Sequence, residues 1–147
     1  MVQRQRQRAR KGEPFSVRFP LSTDEAVAEE ARRTGRSKGA VVAEFTEETL
    51  RTRRFPGIAF RGDAHRRRPW VIGTGLDVWE IIQMLEDFGS VEQLLESSHL
   101  NERQLRLAVA YRERYPEEIE AAIAENRLPV DEWRERYPFV VTSETTS

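Results

Sequence analysis

The sequence predicts a mainly α fold: a solitary β-strand with two helices, then a small helical bundle with a short β-hairpin at its front. Three observations predict it. Phe15, Val17 and Phe19 alternate with Ser16, Arg18 and Pro20, the pattern of a half-buried strand. No second strand candidate occurs before residue 55, so this strand has no partner within its own neighbourhood. Beyond it, apolar residues recur at helical spacing between glycine, proline and capping residues, which divides the chain into short helices.

The strand, residues 14–20, leaves its backbone N–H and C=O groups unpaired unless a second chain completes a sheet, which implies a homodimer. Leu21-Ser22-Thr23-Asp24-Glu25 then reads as a helix start, with Ser22 and Glu25 at capping-box spacing and Leu21 placed to staple onto Ala26. The helix is expected to run to about Thr34, with Val27 and Ala31 on one face and Gly35 as its stop. A second helix is expected from Ser37 to about Thr52, with Val41, Val42, Phe45 and Leu50 as its apolar stripe. About 40 residues of strand and two helices bury little on their own, which again favours an intertwined dimer.

A boundary is expected near Arg53-Arg54-Phe55-Pro56-Gly57. Gly57–Arg61 and Pro69–Ile72 read as two short strands around a polar loop. A helix over roughly 77–88 follows, carrying Val78, Ile81, Ile82, Leu85 and Phe88 and ending at Gly89. Ser90 with Gln93 and Asn101 with Gln104 start two more helices, near 91–98 and 101–114, with Leu100 and Leu105 placed as a staple. Pro116 sits at a first helical position for a last helix to about Asn126. The organisation is therefore a basic arm (1–12), a strand–helix–helix unit (13–54), a helical domain (55–126) and a C-terminal tail (127–147). The tail carries Trp133, Tyr137 and Phe139 among Arg127, Arg134 and Arg136. It either folds back on its bundle or docks onto a partner.

Composition narrows the chemistry. The chain has no cysteine, so disulfides and thiolate metal sites are excluded and a reducing cytoplasm is the expected location. No apolar run approaches a membrane span. The net charge of -1 conceals a split: residues 1–54 hold 13 Lys/Arg against 8 Asp/Glu, net +5, and the remainder holds 11 against 17, net -6. Arg4, Arg6, Arg8, Arg10 and Lys11 precede the first acid, Glu13, so the basic end suits a polyanion such as DNA. His65 and His99, the only histidines, lack metal-ligand spacing, and Gly73-Thr74-Gly75 is too short for a phosphate loop. Glu117, Glu118 and Glu120 read as a solvated helix face. No catalytic residue, metal or cofactor is expected.

Phe15-Ser16-Val17-Arg18-Phe19-Pro20, a helix, and Gly35-Arg36-Ser37 opening a second helix together resemble the Arc/MetJ-like ribbon-helix-helix DNA-binding family. The resemblance covers residues 14–54. It implies that two strands pair antiparallel and enter the major groove, with Pro14, Ser16 and Arg18 facing bases. Phe15, Val17, Phe19, Val41 and Phe45 would form the dimer core. A phosphate would sit at the start of the second helix, on Ser37, Lys38 and Gly39, with Arg10 and Lys11 on neighbouring phosphates. Physically, Arg18 suits a bidentate contact to guanine O6 and N7, and unpaired N–H groups at a helix start suit a phosphate oxygen.

Arg68-Pro69-Trp70-Val71-Ile72-Gly73-Thr74-Gly75-Leu76-Asp77-Val78, a helix, and Gly89-Ser90-Val91 resemble a small helix-turn-helix domain without assigned function. That domain occurs mostly in antitoxins encoded beside PIN-like ribonuclease toxins. The resemblance covers about residues 55–126. It makes the helices near 91–98 and 101–114 the helix-turn-helix pair, with Arg103 and Arg106 on the candidate recognition helix. Together the two resemblances imply a VapB-type antitoxin. Such a protein binds operator DNA as a dimer, represses its own transcription and inhibits a PIN-like toxin, building higher oligomers with it. Trp133, Arg134, Arg136 and Tyr137 are the candidate toxin-binding residues, an arginine plugging the toxin's acidic Mg²⁺ site. A free-standing regulator without a toxin is the alternative.

Overall fold

The computed structural model describes residues 10–129 together with Glu132 and Glu135. The fold is mainly helical, with a small three-stranded antiparallel sheet. In order, the elements are α1 (Leu21–Thr34), α2 (Lys38–Arg54), β1 (Ile58–Arg61), β2 (Arg68–Val71), β3 (Leu76–Asp77), α3 (Val78–Phe88), α4 (Val91–Ser97), α5 (Glu102–Arg114) and α6 (Pro116–Asn126). The chain divides into two compact units, up to Ala43 and from Glu44, and the division falls inside α2.

In the first unit, residues 10–20 form no strand. This departs from the expectation over 14–20, and the physical reason is that a ladder needs a partner strand, which one chain does not supply. α1 begins at Leu21 with Pro20 before it and no side-chain cap, so the Ser22–Glu25 capping box is not formed. Leu21 is exposed rather than stapled. Gly35 ends α1 in the left-handed region at φ 64°, and the Arg36 N–H returns to the Ala31 carbonyl at 3.0 Å. The Ser37 hydroxyl accepts the Ala40 N–H at 3.1 Å and starts α2. Among its described residues Val27, Ala31 and Val41 are buried, with Val42 packed against them. Phe45 and Leu50, expected on the apolar stripe of α2, are exposed at 43% and 53%.

The second unit holds the larger core. Ile58 and Val71 face each other across the β1–β2 ladder and bury against Val78, Ile81 and Ile82 of α3. α3 packs on α4, α5 and α6, whose Leu94, Leu105, Ala108, Tyr111, Ile119 and Ile123 close the core. The caps fall where the sequence places them. Ser90 accepts the Gln93 N–H at 3.2 Å, Asn101 and Gln104 exchange bonds at 2.8 and 3.0 Å, and Pro116 opens α6. Leu100 and Leu105 are both buried, as a staple requires.

The expected hairpin is instead a three-stranded sheet. β3, only two residues long, pairs Trp70 with Asp77 and Val71 with Leu76. The turn between β2 and β3 is held by Thr74, whose Oγ1 donates to the Val71 carbonyl at 2.7 Å and accepts the Leu76 N–H at 3.0 Å. Gly75 stands there at φ 69°, a conformation that disfavours any side chain and that accounts locally for glycine at this position.

Candidate nucleic-acid interface

The residues expected to read DNA lie on the surface of the first unit. Pro14, Ser16 and Arg18 are exposed, and so are Phe15 at 85% and Val17 at 59%, while Phe19 is half-buried. Two large apolar side chains in water are an unfavourable arrangement for an isolated chain. Burying each is worth about 1.5–3 kcal/mol. Of the expected dimer-core residues, Val41 is fully buried within its own unit and Phe45 is partly exposed.

At the start of α2, the first helical ladder bond runs from the Val41 N–H to the Ser37 carbonyl at 3.1 Å. The N–H groups of Lys38 and Gly39 precede that bond and point out of the helix end, where the dipole favours an anion. Lys38 adds a cation whose Nζ lies 2.5 Å from Asp24 Oδ1, both half exposed. Arg10 and Lys11 are exposed. Arg4, Arg6 and Arg8 lie outside the described residues, as do the candidate toxin-binding residues Trp133, Arg134, Arg136 and Tyr137.

In the second unit, α4 and α5 are the expected helix-turn-helix pair. Arg103 and Arg106 are exposed on α5, with Arg106 tied to Glu102 at 2.5 Å. Acids flank them: Glu92, Glu102 and Glu113 border the groove between α4 and α5.

Two polar clusters went unforeseen in the sequence. The first is built on Asp77, whose side chain is 3% exposed. Its Oδ1 accepts from Arg61 Nε at 2.8 Å, and its Oδ2 accepts from Arg68 Nε at 2.7 Å and from Trp79 Nε1 at 3.2 Å. Arg61 also donates to the Gly75 carbonyl at 3.0 Å and lies 5.0 Å from the Trp70 ring centre. Glu80 Oε1 accepts the Asp77 N–H at 3.1 Å, so Asp77 starts α3 and anchors the sheet at once. The helix expected over roughly 77–88 starts at this residue. Its arginine partners follow only from the β1–β2–β3 register.

The second cluster centres on Arg51. Its Nη1 donates to the Tyr111 hydroxyl at 2.7 Å and to Glu118 Oε2 at 2.6 Å, and its Nε donates to Glu47 at 2.9 Å. The guanidinium sits 3.8 Å over the Tyr115 ring. Burial and the neighbouring Glu118 carboxylate push the Tyr111 hydroxyl well above the ordinary tyrosine range. Burial works against the Arg51 charge, yet bonds from Glu118, Glu47 and Tyr111 outweigh it and raise its pKa further. Glu118 is therefore an ion-pair partner, whereas Glu117 and Glu120 remain a solvated face.

Among the described residues no group of three His, Cys, Asp or Glu side chains is placed to hold a metal, and no helix is long and apolar enough to cross a membrane. No protein-family model, curated protein or solved structure matches the chain.

Proposed function

We propose that the chain is a dimeric DNA-binding regulator of the ribbon-helix-helix kind and serves as the antitoxin of a PIN-like ribonuclease toxin. The observation that carries the DNA-binding part is the exposure of Phe15 and Val17 on a strand-patterned segment whose alternate positions are Ser16 and Arg18. Pairing with a second copy would bury the phenylalanine and valine, satisfy the segment's backbone and leave Ser16 and Arg18 on the opposite face. That face would enter a major groove, with Lys38 and Gly39 amides on a flanking phosphate.

Three buried residues among the described part of the first unit are a thin core, which also favours completion by a second copy. The antitoxin assignment rests on the resemblance of residues 55–126 and on the acidic balance of that part of the chain, which suits a protein partner better than DNA.

The test is binding of the full chain to DNA from its own promoter, compared with Arg18→Ala over a series of salt concentrations. Loss of one bidentate base contact should cost about 1–3 kcal/mol and relax sequence preference. Unchanged affinity and preference would refute the reading. For the antitoxin part, the neighbouring reading frame should encode a small PIN-like protein that co-purifies with the chain. A neighbour of any other kind refutes it.

A further inference from the structure

Asp77 is the one buried charged side chain among the described residues, and it holds two arginines that stand directly opposite each other on β1 and β2. Like charges in that cross-strand position repel. One carboxylate between Arg61 and Arg68 offsets the repulsion and leaves one net positive charge on the sheet. It holds Arg61 through Nε and Nη2, both 2.8 Å from Oδ1, and Arg68 through Nε, 2.7 Å from Oδ2. Arg61 remains 36% and Arg68 48% exposed, so both reach solvent while held in place. Trp70 follows Arg68 by two residues on β2 and so shares its sheet face, with the Arg61 guanidinium near its ring.

We propose that Arg61, Arg68 and Trp70 form a binding site for single-stranded nucleic acid, with a backbone phosphate on the arginine pair and an adjoining base against Trp70. Guanidinium donors match phosphate oxygens, and an indole accepts any base by stacking. A pair fixed by Asp77 loses little rotamer freedom on binding, which is the advantage of a preorganised site. The site belongs to the second unit and does not depend on the ribbon, so it stands or falls separately from operator binding.

The experiment titrates the full chain into a fluorescein-labelled twelve-nucleotide oligothymidylate and reads anisotropy at several salt concentrations. Arg68→Gln should weaken binding about tenfold and reduce the salt slope by about 0.7. Trp70→Leu should weaken it with little change of slope. Asp77→Asn gives an opposite sign to simple charge counting. It adds a net positive charge, yet binding should weaken because the arginines lose their anchor. Arg18→Ala, which lies in the other unit, should weaken oligonucleotide binding less than Arg68→Gln does.

The proposal is overturned if the wild type does not bind, or if Arg68→Gln stays within twofold of it. A larger loss of oligonucleotide binding in Arg18→Ala than in Arg68→Gln also overturns it, as does tighter binding by Asp77→Asn or equal competition by oligoglutamate. If Asp77→Asn fails to fold, the half-exposed Arg68→Gln still decides the matter.

Discussion

Phe15→Ala removes a phenyl ring that is 85% exposed in the single chain and that the proposed ribbon would bury against a second copy. The change touches neither core: Val27, Ala31 and Val41 make one and the α3-centred cluster makes the other. Any effect must therefore arise from association. Full burial of a phenylalanine is worth about 1.5–3 kcal/mol, and a symmetric dimer contains the ring twice, giving about 3–6 kcal/mol per dimer. At 1.4 kcal/mol per tenfold, the dimer dissociation constant should rise by roughly 10²–10⁴. Sedimentation equilibrium across a wide concentration range reads this directly. Circular dichroism at high dilution should show the helical signal of the second unit intact. A wild-type chain that stays monomeric throughout, or a Phe15→Ala chain with the same dissociation constant, would refute the reasoning.

Other outcomes follow from the packing and the caps. Asn101→Ala removes the acceptor of the Gln104 N–H and should cost about 1 kcal/mol in thermal unfolding. Leu105→Ala opens a hole at a position 1% exposed and should cost about 2–5 kcal/mol. Gly62→Ala should destabilise the β1–β2 loop, because at φ 110° an added Cβ would lie 2.3 Å from the Arg66 carbonyl oxygen; equal melting temperatures would contradict this. Tyr111, whose folded pKa is raised, should stay protonated in an ultraviolet titration carried past the ordinary tyrosine pKa of about 10. The sign follows: its contribution to stability is complete below the ordinary tyrosine pKa of about 10 and is lost as pH rises beyond it. Tyr111→Phe should remove that part of the alkaline dependence.

Much of the helical framework was legible because local chemistry punctuates it. Gly35 and Gly89 take positive φ, Ser90 and Asn101 cap with their own side chains, and Pro116 needs no partner for its missing N–H. The Ser22–Glu25 pair misled because α1 starts two residues earlier than a Ser22 cap requires, at Leu21, which carries Ser22 into the helix. β3 was illegible because two residues have no period, and only pairing with Trp70 and Val71 makes them a strand. With β3 unseen, Asp77 reads as a helix start and its role between Arg61 and Arg68 stays hidden. Arg51 illustrates the same limit: its partners Tyr111 and Glu118 are distant in sequence, and no local pattern joins them. The alternation over residues 14–20 is plain in the sequence, yet the single chain forms no strand there and exposes Phe15 and Val17.

The most direct test of the central claim uses the absence of native cysteine. Single cysteines placed in turn at residues 15–19 of the full chain report whether the segment lies against a copy of itself, because opposing Cβ atoms in an antiparallel pair come within about 4.5–5.5 Å. The account predicts that Val17→Cys, at the centre of the alternation, oxidises to a covalent dimer that still binds promoter DNA. No cross-link at any of the five positions, or a cross-linked dimer that has lost the DNA, would contradict it.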